Sequence, residues 1–368
     1  MAPSDAPTLP RPDDWDALAA IGHWLRPCFG GETVAPAPDQ NWAAIIEIAS
    51  RNMVAPALGW VWATQPGLPP DIAQVFAALL AMNRERNARM LAGVEEMLVV
   101  LNREGIVPVL LKGTGMLADR TYPDPGLRVI LDCDMLVREP EVLRASAILT
   151  EAGYVPTKRK ALRGSHHLPM HRHVDTGVGV ELHHQPGQRE LARLIDAQRC
   201  FENGRVVTVG AGRALLPAIE DRIVHNIGHL QVMDRRYRMA KPHLRQLLDV
   251  AMFRHAHDPS IDWAAVSDRF RRAGLHPILT DNLGLVEALL GQPAPAGLGG
   301  GAASAERRVR HALARGPVAR TARTVQWTLA DALRMIAADP RWIGVWIGNA
   351  RARGSITGGI RRRARTGG

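Results

Sequence analysis

The stretch RVILDCDMLVR, residues 128–138, places Asp132 and Asp134 inside a run of apolar and β-branched residues. Its alternation predicts a strand. Because side chains alternate along a strand, both carboxylates share one face, and Cys133 lies on the other as a buried, inert thiol. Neighbouring carboxylates repel each other, and burying unpaired charge is costly. Mg²⁺ bound through carboxylates and substrate phosphates is the common solution. An exposed edge-strand pair, or pairing with arginines, is the alternative interpretation.

A second candidate strand, GVGVELHHQ (177–185), carries the carboxylate Glu181. In a strand, Gly179, Glu181 and His183 share one face. A carboxylate beside the two aspartates would complete a three-carboxylate site for two metal ions. On its own, Glu181 is more typical of a solvated strand residue, and Asp175 is another candidate for the third ligand.

A third signal is LLKGTG, residues 110–115, where an apolar run ends in glycine before a short helical pattern. The first backbone N–H groups of a helix have no intrahelical partner and favour phosphate. Lys112 could add a point charge there. The order GxxxxGK[ST] is absent, so this is not a P-loop.

The surrounding pattern defines the fold class. Apolar residues recur at helical spacing from residue 15 to about 103 and again from residue 216, while the middle alternates short strands with an amphipathic helix, EPEVLRASAILTEAGY (139–154). This order predicts an α+β protein, a small mixed-sheet core flanked by N- and C-terminal helical regions. The predicted segments are an N-terminal helical region (1–95), the α/β core (96–210), a second helical region (211–291), a Gly/Ala/Pro linker (292–305) and an arginine-rich C-terminal segment (306–368).

The composition excludes several classes of protein. Of 368 residues, 46% are hydrophobic and 22% charged, which rules out collagen-like, fully disordered and disulfide-scaffold chains. The three cysteines show no metal-site or disulfide spacing. The acidic, proline-rich N-terminus has no apolar core of a signal peptide, and no stretch approaches the length of a transmembrane segment. We therefore expect a cytoplasmic protein.

The positive charge is concentrated at the C-terminus. Residues 306–368 hold 14 arginines, no lysine and three acidic residues, whereas the whole chain has a net charge of +10. This segment could bind nucleic acid through phosphates, lie on an anionic membrane through its Trp342–Ile347 patch, or bind an acidic partner. A partly ordered accessory helix is the simplest alternative, and arginine without lysine also fits a GC-rich coding bias.

Histidines are concentrated in residues 166–184, but their spacing matches no known zinc pattern. Ordinary polar strand residues are the default interpretation, with His183 the candidate for a phosphate contact. His225 and His229 lie one turn apart on a predicted helix. A polar stripe is the favoured interpretation of that pair, and a wall of the active cleft is the alternative.

The motifs taken in order resemble a known family. They are Lys112-Gly113 at a strand end, YPDPGLR (122–128), DCDMLV (132–137), a helix ending in AGY (152–154) and VELHH (180–184). Their joint order is similar to that of the uncharacterised bacterial nucleotidyltransferase family, within the superfamily that has the DNA polymerase β-like core. The resemblance spans about residues 95–255. It departs from the superfamily in having Gly-Thr for Gly-Ser and a longer separation between Gly113 and Asp132.

The resemblance implies a set of site residues. The catalytic, metal-binding carboxylates would hold two Mg²⁺ ions, and a second group would bind the nucleotide. The carboxylates are Asp132, Asp134 and Glu181, and the nucleotide-binding residues are Lys112, Gly113, Thr114, Arg128 and His183.

The implied activity is transfer of NMP from an NTP to a hydroxyl or phosphate of an unidentified acceptor. A peptide or small metabolite, as in modified-peptide biosynthesis, is the acceptor class that the family suggests. The competing hypothesis is a catalytically degenerate nucleotidyltransferase-fold protein that binds nucleotide, peptide or nucleic acid.

Overall fold

A computed structural model describes residues 15–36, 40–63, 68–158, 165–188 and 190–314. Within this part of the chain, no helix combines the length and apolar character needed to cross a membrane. Short 3₁₀ turns cover Arg26–Phe29, Glu139–Glu141 and Leu191–Arg193, and π-helical turns cover Gly228–Met233 and Val286–Leu290. The α-helices are α1 (Trp15–Trp24), α2 (Trp42–Arg51), α3 (Ala55–Trp62), α4 (Pro70–Arg103), α5 (Lys112–Ala118), α6 (Val142–Glu151), α7 (Ala197–Glu202), α8 (Ile219–Ile227), α9 (Arg236–Met239), α10 (Leu244–His257), α11 (Trp263–Arg272), α12 (His276–Leu285) and α13 (Ala302–Ala314).

In sequence, the strands of a seven-stranded mixed sheet lie between the N-terminal helices and the later ones. Its spatial order is β3-β4-β5-β2-β1-β7-β6, with β5 parallel to β2 and β7 parallel to β1, and the other pairs antiparallel. This architecture confirms the predicted α+β class. The strands are β1 (Val109–Leu110), β2 (Cys133–Leu136), β3 (Tyr154–Pro156), β4 (His171–His173), β5 (Gly179–His183), β6 (Arg205–Val209) and β7 (Gly212–Leu216).

One face of the sheet is a dry apolar layer. Cys133 and Met135 of β2 lie beside Val180 and Leu182 of β5 and are completely buried. The C-terminal half of α4 and the helix α6 supply many of the other apolar side chains of this cluster. Burying a large apolar side chain stabilises the fold by about 1.5–3 kcal/mol, so this layer fixes the register between β2 and β5.

The opposite face of the same two strands carries the polar side chains. Asp134 on β2 is paired in register with Glu181 on β5, and Leu136 with His183. Since side chains alternate along each strand, the register that buries Cys133 turns these polar groups away from the apolar layer. The apolar packing on one face of the sheet therefore also fixes the positions of the polar side chains on the other face.

The predicted strand over 128–138 is longer than the one that forms. Only Cys133–Leu136 is β-structure, so Asp132 precedes the strand instead of lying within it. The cause lies upstream, because the carbonyl of Arg128 accepts hydrogen bonds from the side chains of Asn83 and Asn87 on α4. The carbonyl of Arg128 is therefore hydrogen-bonded to side chains, whereas in a strand it would bond to the backbone of a neighbouring strand.

The hairpin of β6 and β7 was not anticipated from the sequence. Its signal is the β-branched run RVVTV followed by the glycine-containing turn at Gly210, which has φ of 54°. β7 pairs with β1 and therefore extends the sheet beyond the site.

At the C-terminal end of the described residues, α13 begins at Ala302. Residues 315–368, on which the expectations for the basic tail rest, lie outside the described residues.

Candidate active site

The parallel pairing of β2 and β5 brings three potential ligands together. One ligand atom from each of Asp134, Glu181 and His183 lies within 4.8 Å of the others. The Nε2 atom of His183 is 2.9 Å from Oδ1 of Asp134 and 3.6 Å from Oε2 of Glu181. Two carboxylates and an imidazole at this spacing suit a divalent cation, although the set differs from the three carboxylates predicted.

Within this cluster, Asp134 accepts hydrogen bonds from two side chains. Its Oδ1 atom accepts hydrogen bonds from Lys112 Nζ at 2.7 Å and from His183 Nε2 at 2.9 Å. Burial alone would raise the pKa of Asp134, but the attraction of Lys112 and the hydrogen bond from His183 hold that pKa well below its ordinary value. Asp134 is therefore ionised whenever these two partners are in place.

The backbone of Asp134 is tied to the start of α5. Its carbonyl accepts from the amide of Leu111 at 3.0 Å, and its amide donates to Oγ1 of Thr114 at 3.1 Å. Between these two anchors, Lys112 has a left-handed φ of 47°. A residue with a Cβ in this conformation costs about 1–2 kcal/mol, so the contacts that direct Lys112 towards Asp134 outweigh a local strain.

Asp132 lines a cavity next to this cluster. Burial, followed by the negative charges of Asp134 and Glu181, raises the pKa of Asp132 to about 6. Burial is the larger cause, but the charges of Asp134 and Glu181 each act on Asp132 more strongly than the opposing charge of Lys112. An added divalent cation would relieve this repulsion, which is the observation that fits a metal to the site.

The cavity lies between the sheet and the later helices and has a volume of about 320 Å³. Asp132, Asp134 and the Lys112–Gly113 turn form its sheet side. Side chains of α8, α10 and the segment between them form its helical side, and the charged and imidazole groups among them are Asp221, Arg222, His225, His229, Asp234, Arg236, His243, Arg245 and Asp249.

Arg128, predicted to contact a phosphate, forms a buried ion pair in the wall of this cavity. Its Nε and one terminal nitrogen donate to the two carboxylate oxygens of Asp249 at 2.8 and 3.0 Å. Asp249 also accepts from Tyr122 Oη at 2.7 Å and from Asn226 Nδ2 at 3.1 Å. A Cβ on Gly113 would overlap the guanidinium of Arg128, so glycine is needed there to let the arginine reach Asp249.

The remaining histidines of the 166–184 segment divide into two groups. The rings of His166 and His167 lie 5.2–5.3 Å from that of His183, and His167 is 4.0 Å from Glu181. His171 instead contacts Ser146 of α6, and His173 packs on Tyr154. Burial lowers the pKa of His166 to about 3, and the neighbouring His183 and His167 add to the shift, so His166 is neutral at pH 7.

His225 and His229 both line the cavity, which agrees with the alternative interpretation of this pair and not with a polar stripe. His225 is buried, with Nε2 3.0 Å from the carbonyl oxygen of Pro186. Burial, followed by the charge of Lys112, lowers the pKa of His225 to about 3.

Cys133 is completely buried on the apolar face, as predicted. Burial raises the pKa of its thiol well above the ordinary value, with Asp134 and Asp132 adding to the shift. A thiol held protonated in this way is a poor nucleophile and a poor metal ligand.

Two cavity residues of the helical side, His243 and Arg245, were not predicted from the sequence. His243 directly precedes α10 and Arg245 lies in its first turn, within the stretch KPHLRQLLDV, whose sequence predicts only a helix packed among others. Only the three-dimensional arrangement brings them to the same cavity as Asp134.

One comparison with known proteins found a match. Residues 38–291 match the model of one protein family, described as an uncharacterised nucleotidyltransferase. Searches of curated proteins and of solved structures gave no match. The matched range covers more than half of the chain and includes both strands of the candidate site and the described helices that line the cavity.

Proposed function

Because the chain belongs to this uncharacterised nucleotidyltransferase family, we propose that it is a Mg²⁺-dependent enzyme that transfers NMP from an NTP to a hydroxyl or phosphate of an acceptor. The observation that carries the proposal is the in-register pairing of Asp134 with Glu181 on neighbouring parallel strands, beside a cavity also lined by Asp132. In this proposal, the three carboxylates hold two ions, and Nε2 of His183 is close enough to act as a further ligand.

When bound, Mg²⁺ would neutralise the charge of the triphosphate and lower the pKa of the attacking hydroxyl. The protein's own residues position the reactants. Lys112 is 24% exposed at its side chain and reaches Asp134 from the rim of the cavity, so it can turn from this carboxylate to a phosphate oxygen. The Gly113–Thr114 turn keeps Lys112 at this distance, because Thr114 is hydrogen-bonded to the backbone of Asp134.

The reaction in this proposal is an in-line displacement. The acceptor oxygen attacks the α-phosphorus, the bond from this phosphorus to the β-phosphate oxygen breaks, and pyrophosphate leaves. The family resemblance supports a peptide or small metabolite as acceptor. Arg128 takes an indirect part, since its contacts to Asp249 place it behind the Gly113 turn, where it supports the nucleotide-binding segment.

One observation favours a second candidate, a degenerate protein of the same fold that binds nucleotide without turnover. Lys112 and His183 already satisfy Oδ1 of Asp134, so this carboxylate is stable without a metal. The raised pKa of Asp132 argues for the enzyme, because the excess of negative charge is only partly compensated by these partners.

The two candidates differ in what happens to the α-phosphate. The purified protein is incubated with Mg²⁺, a small-molecule and peptide extract, and NTP labelled at either the α- or the γ-phosphate. We expect α-label in a new product, release of pyrophosphate, and neither in Asp134→Asn. Transfer of γ-label would identify phosphoryl transfer instead, and retention of the NTP intact would favour the binding protein.

A further inference from the structure

The helical side of the cavity contains a cation whose charge is poorly compensated. Arg245 lines the cavity from the first turn of α10 and makes no hydrogen bond or ion pair with any described residue. Burial lowers its pKa, and the nearby charge of Arg128 lowers it further. Both effects show that the folded protein disfavours this charge, which is the opposite of what a structural ion pair produces.

Asp249, whose charge attracts Arg245, has other hydrogen-bond partners. Both of its oxygens accept from Arg128, and it accepts additional hydrogen bonds from Tyr122 and Asn226. Asp234 also lines the cavity and offsets part of the positive charge of Arg236 and Arg245. Asp234 lies 3.8 Å from Nδ1 of His229, and no carboxylate of the described residues forms an ion pair with Arg245, so the guanidinium of Arg245 keeps an attraction for anions.

His243 is a second group that indicates an anion at this end of the cavity. His243 precedes the first residue of α10, is only 5% exposed and lines the cavity, and its Nδ1 atom has no hydrogen-bond partner among the described residues. Buried polar groups without partners are rare, and one at a ligand cavity indicates a contact that the ligand completes. The start of a 14-residue helix adds a partial positive charge at this position.

We propose that Arg245 and His243 form an oxyanion-binding subsite at the helical end of the cavity, separate from the Asp134–Glu181 cluster, and that it holds a phosphate group. The guanidinium would bind two phosphate oxygens as a fork, and the imidazole N–H would donate to a third or shared oxygen. The phosphate belongs either to the NTP tail or to the acceptor. Only this last step rests on the proposed nucleotidyl transfer.

The first test measures binding of inorganic pyrophosphate by calorimetry, with EDTA present to exclude metals. Wild type should bind pyrophosphate, and Arg245→Gln should weaken binding by about tenfold or more, the usual effect of losing a charge-assisted hydrogen bond. His243→Leu should weaken it in the same direction. The control is Arg271→Gln, which removes an exposed arginine paired with Asp268 and should leave affinity unchanged. Equal affinity in wild type and Arg245→Gln, or no binding to wild type, would overturn the proposal.

Melting of the unliganded variants separates binding from a structural role. Arg245→Gln removes a half-buried charge that has no ion-pair partner among the described residues, so its melting temperature should equal or exceed that of wild type. A drop of several degrees in the unliganded variant, together with full pyrophosphate binding, would instead assign Arg245 to the fold.

Two further arms identify the source of the phosphate and keep the proposal independent of the activity. Asp134→Asn should retain pyrophosphate binding in EDTA, even if nucleotidyl transfer proves wrong. If the subsite holds the NTP tail, Arg245→Gln weakens binding of ATP with Mg²⁺ but not of AMP. If it holds the acceptor, ATP affinity is unchanged, and pyrophosphate still binds to wild type saturated with a non-hydrolysable ATP analogue.

Discussion

Asp134 and Asp249 are both buried aspartates in the walls of one cavity, at 4% and 1% exposure, yet their surroundings differ in kind. Asp249 accepts from Arg128, Tyr122 and Asn226, and its charge is matched by a bidentate guanidinium. Asp134 has Lys112 and His183 as partners, but Glu181 and Asp132 add negative charge beside it. A buried carboxylate with matched partners stabilises a fold, whereas one in a cluster of excess charge is suited to bind a cation.

The largest effect should follow from breaking the Asp249 cluster. Asp249→Ala leaves the guanidinium of Arg128 buried without its counter-charge, which typically costs about 3–5 kcal/mol of unfolding free energy. Urea unfolding measures this change. The matched variant Asp134→Ala leaves Lys112 without its partner, but the Lys112 side chain is 24% exposed and can turn to solvent, so this variant should cost much less. Equal losses in the two variants would contradict the distinction between the clusters.

Acid should weaken the fold before either aspartate is protonated. Burial lowers the pKa values of His225 and His243 to about 3, whereas an unfolded histidine titrates at about 6.5. The unfolded state therefore binds more protons between these values, and stability falls as pH drops from about 6.5 towards 3. The aspartates, whose pKa values are depressed, lose their contribution only below about pH 4.

Urea unfolding at pH 7, 5.5 and 4.5 checks this order. His225→Gln should flatten the decline, because each pKa unit removed is worth about 1.4 kcal/mol. A stability that stays constant from pH 7 to 4.5 in the wild type would show that the two histidines are not buried in their neutral form.

Lys112 provides a test of whether the Asp134 cluster binds a metal ion. Its ammonium group lies 2.7 Å from Oδ1 of Asp134, so it competes with any cation for that oxygen. Lys112→Met should strengthen Mn²⁺ binding, measured by the loss of the free-ion resonance signal, and weaken ATP binding, each by about tenfold if one charged hydrogen bond is involved. Lys241→Met, at an exposed position, is the control. Weaker Mn²⁺ binding in Lys112→Met would mean that Lys112 supports the metal site and does not compete with it.

The smallest effect should come from trimming one contact of Asp249. Tyr122→Phe removes the 2.7 Å hydrogen bond but leaves the bidentate arginine in place. We expect a loss of about 1–1.5 kcal/mol in unfolding free energy, with pyrophosphate affinity unchanged. A much larger loss would show that Tyr122, and not Arg128, is the main support of the carboxylate.

The sequence predicted those parts of the site that depend on local alternation. The burial of Cys133 and the common face of Glu181 and His183 follow from the two-residue period of strands, and the structure agrees. Asp132 was placed in the strand wrongly, because the side chains of Asn83 and Asn87 that hold the preceding backbone come from a distant helix.

The parts that could not be predicted depend on contacts between distant segments. Arg128 meets Asp249 across 121 residues, and no local pattern distinguishes this pair from a phosphate ligand. Arg245 lies in the first turn of a largely buried helix and His243 directly before it, and only the path of the chain brings them to the cavity. Local periodicity thus predicts which face a residue occupies, but not which partner it finds there.

The most direct test of the central claim is the melting temperature with each of ATP, GTP, CTP and UTP, with and without Mg²⁺, for wild type and Asp134→Asn. A ligand that binds only the native state raises this temperature, so no acceptor is needed. We predict a rise with at least one nucleotide that requires Mg²⁺ and is absent in Asp134→Asn. A rise that is equal in the variant, or no rise at millimolar nucleotide, would contradict the assignment of the Asp134–Glu181 cluster as a metal–nucleotide site.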